Sequence, residues 1–278
     1  MSHAADVLTP LGEELLDRLR GVTVTPERAM RLAAELRDRY PAELVAAALT
    51  QQSLRMAARD KFSRADDMFF TRAGLEQASA QIVASHSARR FAGLPLVADL
   101  CCGIGGDLAA LASSADRVLA VDADLGTLQF ARRNLAVQVP AAAVVFVCTD
   151  VQDLSSAALR ELAGAFIDPA RRTGGHRLRT GDSQPPLSWC LGLADRVARV
   201  GIKAAPGLPH EVVPAGWETE FVAIGRALKE ALLWSPGLAT TRRRATVLPG
   251  GDTILPGGDT ILPGGDTILP GGDTILPG

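Results

Sequence analysis

Four acidic residues stand along this chain, each at the end of a short apolar run: Asp99, Asp122, Asp150 and Asp168. Asp99 closes LPLVAD and leads into LCCGIGGD, where Gly103, Gly105 and Gly106 allow a tight turn and a close backbone approach to a ligand. The helical pattern DLAALA follows, so its unpaired N–H groups face back toward that turn. Asp122 ends RVLAVD, 19 residues after Gly103, a distance at which a strand-tip carboxylate accepts from a ribose diol. Asp150, before Val151, is placed to accept from an adenine amino group. Asp168-Pro169 ends a fourth run, AGAFIDP. Ligands of doubly wound sheets lie in the crevice outside the carboxyl ends of the strands, so this pair is expected at the reacting group. Pro169 stiffens that turn and removes a donor. Any one of these acids alone is explained as well by a helix cap or a turn. Four in succession carry the argument.

The glycine spacing decides between nucleotide cofactors. A dinucleotide fingerprint, GxGxxG, counted from Gly103 would need its last glycine at Leu108. The pattern is instead D-x-x-x-G-x-G-G, and the acid at the loop opposes a pyrophosphate. It suits the ammonium of S-adenosylmethionine (SAM), and a nicotinamide dehydrogenase fails on both counts.

These tips need a sheet, and the rest of the chain supplies elements for one. Length and composition, 278 residues with 47% hydrophobic and 22% charged, fit one large globular domain or a domain with an appendage. Residues 1–60 read as a helical region: Thr25-Pro26 is a cap and first-turn pair with Met30, Ala33, Leu36 and Tyr40 behind it, and Pro41 starts a second helix. Residues 61–93, from KFSRADDMFF, feed directly into the Asp99 strand and are expected to fold over the cofactor as a lid. Met68, Phe69 and Phe70 are either core or a lining for that lid. Residues 94–246 form the main domain, whose last strands are VARVGIKAAP, TEFVAIG and KEALLWSP. From 247 to 278 the chain repeats LPGGDTI; Pro and Gly-Gly in each unit defeat a helix, and a flexible tail is expected.

The net charge is −2, and Arg accounts for all but three of the 29 basic residues. No basic tail binds nucleic acid, so any such contact must come from a local patch. Arg171, Arg172, Arg177 and Arg179 make one beside Asp168; guanidinium groups can clamp phosphates or stack on a base, although a solvated face competes. Cys101, Cys102, Cys148 and Cys190 lack zinc spacing and read as small buried thiols. No metal site, signal peptide or membrane span is evident, so a cytoplasmic location is expected.

From Phe62 to about Asp168 the chain resembles bacterial relatives of trimethylguanosine synthase, among the class I SAM-dependent methyltransferases. The matching pieces are FSRADD, VADLCCGIGGD, VLAVDAD with LQFARRNLAV, VCTDVQDL and FIDPA. The resemblance implies an α/β fold, a Rossmann-like class I methyltransferase sheet with an N-terminal helical cap. It assigns the methionine part of SAM to Asp99, Cys101 and the glycine loop, the ribose to Asp122 and Ala123, and the adenine to Asp150 and Val151. Phe62 and Ser63 would complete the pocket. Cap hypermethylases carry Pro-Pro-Trp after the fourth strand, whereas this chain has Pro169-Ala170-Arg171. Relatives often continue into a module resembling a THUMP domain, where this chain has its repeats. The expected function is methyl transfer to a nitrogen of an RNA base, with Asp168 and Pro169 at the acceptor. The alternative is a SAM- or RNA-binding module without turnover. Oligomeric state is not readable from the sequence.

Overall fold

The computed structural model describes residues 3–170, 172–173, 176–177, 183–254, 260–261, 267–268 and 274–275. Its centre is a nine-stranded sheet in the order β11 (Gly251–Ile254), β10 (Arg243–Leu248), β8 (Glu218–Ile224), β9 (Ala227–Trp234), β7 (Val200–Ala204), β4 (Gly164–Ile167), β1 (Val97–Leu100), β2 (Val118–Asp122) and β3 (Val144–Cys148). Strands β1, β2, β3, β4 and β7 run parallel. The short pair β5 (Arg172–Thr173) and β6 (His176–Arg177) forms a separate hairpin after β4. Strand β9 enters antiparallel between β7 and β8, and β8 and β9 are joined through Gly225 at φ +57°.

Between β1 and β4 the direction of strand addition reverses, which opens a crevice at their carboxyl ends. Asp99 and the glycine loop arrive there from β1, and Asp168 arrives from β4, with Leu100 paired to Ile167.

Helices cover both faces. On one face α5 (Gln81–Ala88), α6 (Leu108–Ser114) and α7 (Leu125–Gln138) pack on Val97, Val118, Phe166 and Trp234. On the other, α8 (Ser156–Arg160) and α9 (Leu187–Gly192) pack on Ala98, Leu100, Ile167 and Ile202. The two-residue period of a strand sorts these sets, and it puts Asp99, Gly201, Lys203, Glu230 and Trp234 on the first face. Gly201 is required where it stands, because a Cβ there would meet the Trp234 ring at 2.5 Å.

The N-terminal region is a separate small core made by α1 (Pro10–Leu19), α2 (Pro26–Leu36) and α3 (Ala42–Ala58) with the segment that follows them. Thr25 caps α2 by accepting from the Arg28 N–H, as the Thr-Pro pair predicts. The expected α2 stripe is only partly correct: Met30 is 78% exposed, and Tyr40 lies past the helix end, where its hydroxyl donates to Glu14. Met68, Phe69 and Phe70 are all buried in this core, which decides the alternative left open for them. Arg55 and Gln51 of α3 hold that segment by its backbone, at the Met68 carbonyl and at both polar groups of Phe70. The next helix, α4 (Arg72–Gln77), leads to the crevice.

At the far edge, β10 (Arg243–Leu248) pairs parallel to β8, and β11 (Gly251–Ile254) pairs antiparallel to β10. The first repeat unit therefore continues the sheet. Later units contribute β12 (Thr260–Ile261), β13 (Thr267–Ile268) and β14 (Thr274–Ile275), a small antiparallel sheet of their own. No helix among the described residues is long and apolar enough to cross a membrane.

Candidate cofactor and acceptor site

A cavity of about 780 Å³ opens at the crevice. Its floor is the glycine loop (Cys101, Cys102, Gly103, Ile104, Gly106, Asp107) with Asp122 and Asp168-Pro169-Ala170. Its opposite wall is Lys61 with the stretch from Glu76 to Ala80 and Val83, all from the segment before β1. Lys203, Lys229 and Glu230 close one end.

The loop has the strained form its sequence suggests. Cys101 is held at φ +60°, a conformation uncommon outside glycine and found at ligand sites, and Gly103 follows at +56°. A Cβ on Gly103 would meet no protein atom, so its open side is left to a ligand. The Gly103 N–H donates to Asp122 Oδ2 at 2.9 Å, and the Asp124 N–H donates to Asp122 Oδ1 at 3.0 Å. That carboxylate is thereby fixed at the β2 tip, while the further lone pairs of its oxygens remain for the cavity. Asp99 is 1% exposed, and its Oδ2 has no hydrogen-bond partner. Burial, reinforced by Asp107, pushes its proton affinity well up. The Asp122 carboxylate beside a glycine cradle fits the ribose diol of SAM, and the unpartnered Asp99 oxygen fits its ammonium, although Asp99 lies buried behind the residues that line the cavity.

Not every expected contact reaches the cavity. Phe62 is buried in the helical cap with its ring 5.7 Å from that of Phe70, and Ser63 bonds Gln81 through its N–H and hydroxyl. Asp150 is exposed and accepts from the Gln152 N–H as a helix cap, Val151 is buried in the core, and Ala123 is exposed. Strand β3 is an edge strand and only half-buried, unlike the buried strand its apolar run suggests. Gly105, at φ +85°, faces Ala131 of α7 instead of the cavity. Cys148 is exposed, contrary to the reading of all four thiols as buried; Cys102 and Cys190 are buried, and burial pushes the Cys190 thiol up to about 12. Arg171 and Arg179 lie outside the described residues, and Arg172 and Arg177 pair with each other across the β5–β6 hairpin.

The residue that sequence reasoning missed is Lys203. Its side chain is 2% exposed, and its Nζ donates to Asp107 Oδ2 at 2.7 Å and to Asp168 Oδ2 at 2.8 Å. Glu230 Oε2 lies 4.0 Å away and accepts from the Ser79 hydroxyl at 2.9 Å. Burial by itself would lower the lysine's proton affinity, but the three carboxyls overcome that and hold it firmly protonated. The same burial pushes Glu230 up to about 7 and raises Asp107 despite the lysine. The signal was a lysine inside an apolar strand, one of only three in the chain.

Asn134 was missed as well. It is fully buried on α7, where it accepts from the Phe69 N–H and donates to the carbonyls of Phe69 and Ile104. One side chain thus ties the cap segment to the glycine loop.

Residues 95–175 match a family model described as RNA cap guanine-N2 methyltransferase, and residues 2–58 match one described as a domain of unknown function. Two curated proteins of Mycobacterium tuberculosis, from strains CDC 1551 and H37Rv, are each 40% identical over 189 residues. Both are described as uncharacterized S-adenosylmethionine-dependent methyltransferases. The aligned region is 66% of this chain and 51% of each relative, so the chain spans about half their length. The crystal structure of a proposed methyltransferase from Porphyromonas gingivalis W83 superposes with a TM-score of 0.66 at 21% identity, covering 85% of this chain and 66% of that one. The fold is thus a Rossmann-like α/β sheet like that of the Porphyromonas gingivalis structure, and the stretch that holds the glycine loop and the first four strands is similar to the RNA cap guanine-N2 methyltransferase model.

Proposed function

We propose that this chain binds SAM in the crevice and transfers its methyl group to a nitrogen of an RNA base. The observation that carries this reading is the placement of Asp168: its carboxylate lines the same cavity as Gly103 and Asp122, a quarter exposed and anchored on one oxygen. When bound, SAM supplies an electrophilic methyl on a sulfonium sulfur, which keeps the electron pair as the methyl leaves. The chain's own task is then alignment and charge. Gly103 and Asp122 hold the ribose end, and the buried Asp99, whose Oδ2 has no partner, is assigned to the ammonium. An acceptor amine gains positive charge as it is methylated and must lose a proton. Asp168 is the carboxylate at the strand tip that can orient the amine and take that proton, with most of the rate coming from orientation. The nitrogen target is supported by the family model over residues 95–175 and by this carboxylate. The four arginines at 171–179 follow Asp168 directly and are assigned to the phosphates of the substrate.

Calorimetry with SAM, together with radiolabelled methyl transfer to total RNA from a strain lacking the gene, tests this reading. Nucleoside mass spectrometry of the product then names the base. Binding without transfer to any RNA would leave only a SAM-binding module, and no binding would remove the cofactor assignment.

A further inference from the structure

From the geometry of the buried cluster we infer that Lys203 is a positioning residue for the acceptor carboxylate, locking Asp168 to the glycine-loop helix through Asp107. The inference rests on the assignment of Asp168 to the acceptor.

Lys203 bridges two elements that carry the two halves of the proposed reaction. Asp107 sits at the N-terminus of α6, at the end of the loop that cradles the cofactor, whereas Asp168 follows β4 at the acceptor side. One ammonium bonds an oxygen of each, at 2.7 and 2.8 Å. The bridge fixes their relative position as long as the lysine is charged. Exposure falls along the cluster from 25% for the Asp168 side chain to 11% for Asp107 and 2% for Lys203. The carboxylate therefore meets the cavity while its counter-ion stays behind it. Without the lysine, the Asp168 carboxylate would face three neighbouring acids and have no bonded counter-ion to hold it in place.

The groups that act on Asp168 come from several elements around the crevice. They are Lys203 on β7, Asp107 at α6, Asp99 on β1, Cys101 after it and Glu230 on β9. Lys203 is the one cation among them. Removing it must raise the pH at which the acidic cluster becomes ionised.

The test uses the full chain, wild type against Lys203→Met, with two readouts. The first is single-turnover methyl transfer to the total RNA described above. The second is binding of S-adenosylhomocysteine compared with an analogue bearing an amine in place of the methylsulfonium, measured by calorimetry between pH 5.5 and 9. The expected result for Lys203→Met is S-adenosylhomocysteine affinity within threefold of wild type and a transfer rate at least 30-fold lower. Preference for the amine analogue should set in at least one pH unit higher. Should the single variant not fold, Lys203→Met with Asp107→Asn restores the charge balance and is expected to show the same loss of transfer rate, with a smaller shift of the onset. A rate and an onset of preference equal to wild type would overturn the inference. So would a rate and an affinity that fall by the same factor with the onset unmoved, because Lys203 would then only pack. If wild type shows the analogue preference and its dependence on Lys203 but methylates no RNA, the substrate reading fails and the positioning role stands. If wild type binds none of these compounds, both fail.

Discussion

Asp122 is bonded on both oxygens by backbone N–H groups of the glycine loop and of its own turn, so its substitution acts twice. Asp122→Ala should lose about 1.5–3 kcal/mol for each charge-assisted bond to the ribose. Calorimetry should record roughly 10- to 100-fold weaker SAM binding per bond, and an unchanged affinity in a folded variant would take Asp122 out of the pocket. Asp168→Asn should behave differently: SAM affinity retained, turnover lost, because its interactions strengthen only as the acceptor sheds its proton. Neutralising the four arginines at 171–179 should flatten the salt dependence of RNA binding by about 0.7 in log–log slope for each phosphate they neutralise. The strand-tip acids were legible because each ends an apolar run. Lys203 was not, because nothing local to GIKAAP says which face of β7 meets the acids; that depends on the register of β7 against β4 and β9. The Phe62-Ser63 contact was legible only as resemblance, and here Phe62 spends its surface on the cap core.

At the scale of elements, one buried amide ties cap to domain beside the Phe69–Phe130 ring contact. Asn134→Ala leaves the Phe69 N–H and two buried carbonyls without partners, each costing roughly 1–3 kcal/mol. A large drop in melting temperature is expected, with hydrogen exchange rising first in 61–80. A variant that melts like wild type would show that water replaces the amide. The helical cap itself could be read from Thr25-Pro26 and the period of α3, because capping and amphipathic spacing are local. The end of the sheet could not. LPGGDTI repeats look unable to pack, yet β10 buries Arg244, Ala245, Thr246 and Leu248, and Gly251–Ile254 pairs with it. Chain termination after Ile254 should therefore leave melting nearly unchanged, whereas termination after Arg242 should abolish cooperative unfolding. Equal melting of the two would mean that β10 adds nothing to the fold.

For the whole molecule, two buried glutamates bound the stability profile. Glu218 is fully buried; burial pushes its carboxyl up, but Arg90, the Thr240 N–H and Arg244 overcome this and hold it at about 2. Its stabilising contribution is present above the ordinary glutamate value and is lost as pH falls toward about 2. Glu230 works in the opposite sense. With its proton held up to about 7, the folded chain binds that proton more tightly than the unfolded one, so stability declines as pH rises from the ordinary glutamate value to about 7. Urea midpoints should peak on the acid side of neutrality. Glu230→Gln should remove about 3 kcal/mol of the decline toward neutral pH, at 1.36 kcal/mol per pH unit. A profile unchanged by that substitution would place the titrating proton elsewhere in the cluster.

The three lysines of this chain, Lys61, Lys203 and Lys229, all line one cavity, while every other basic side chain is an arginine. Reductive methylation with carbon-13 formaldehyde therefore turns the pocket into its own spectroscopic reporter. Lys229 is exposed and should react at once, Lys61 is engaged with the carbonyls of Leu75 and Ala78 and should react slowly, and Lys203 should resist until the domain opens. In a spectrum with so few lysine signals, cofactor titration should move the Lys229 and Lys61 resonances, with the α-amino signal as the fixed reference.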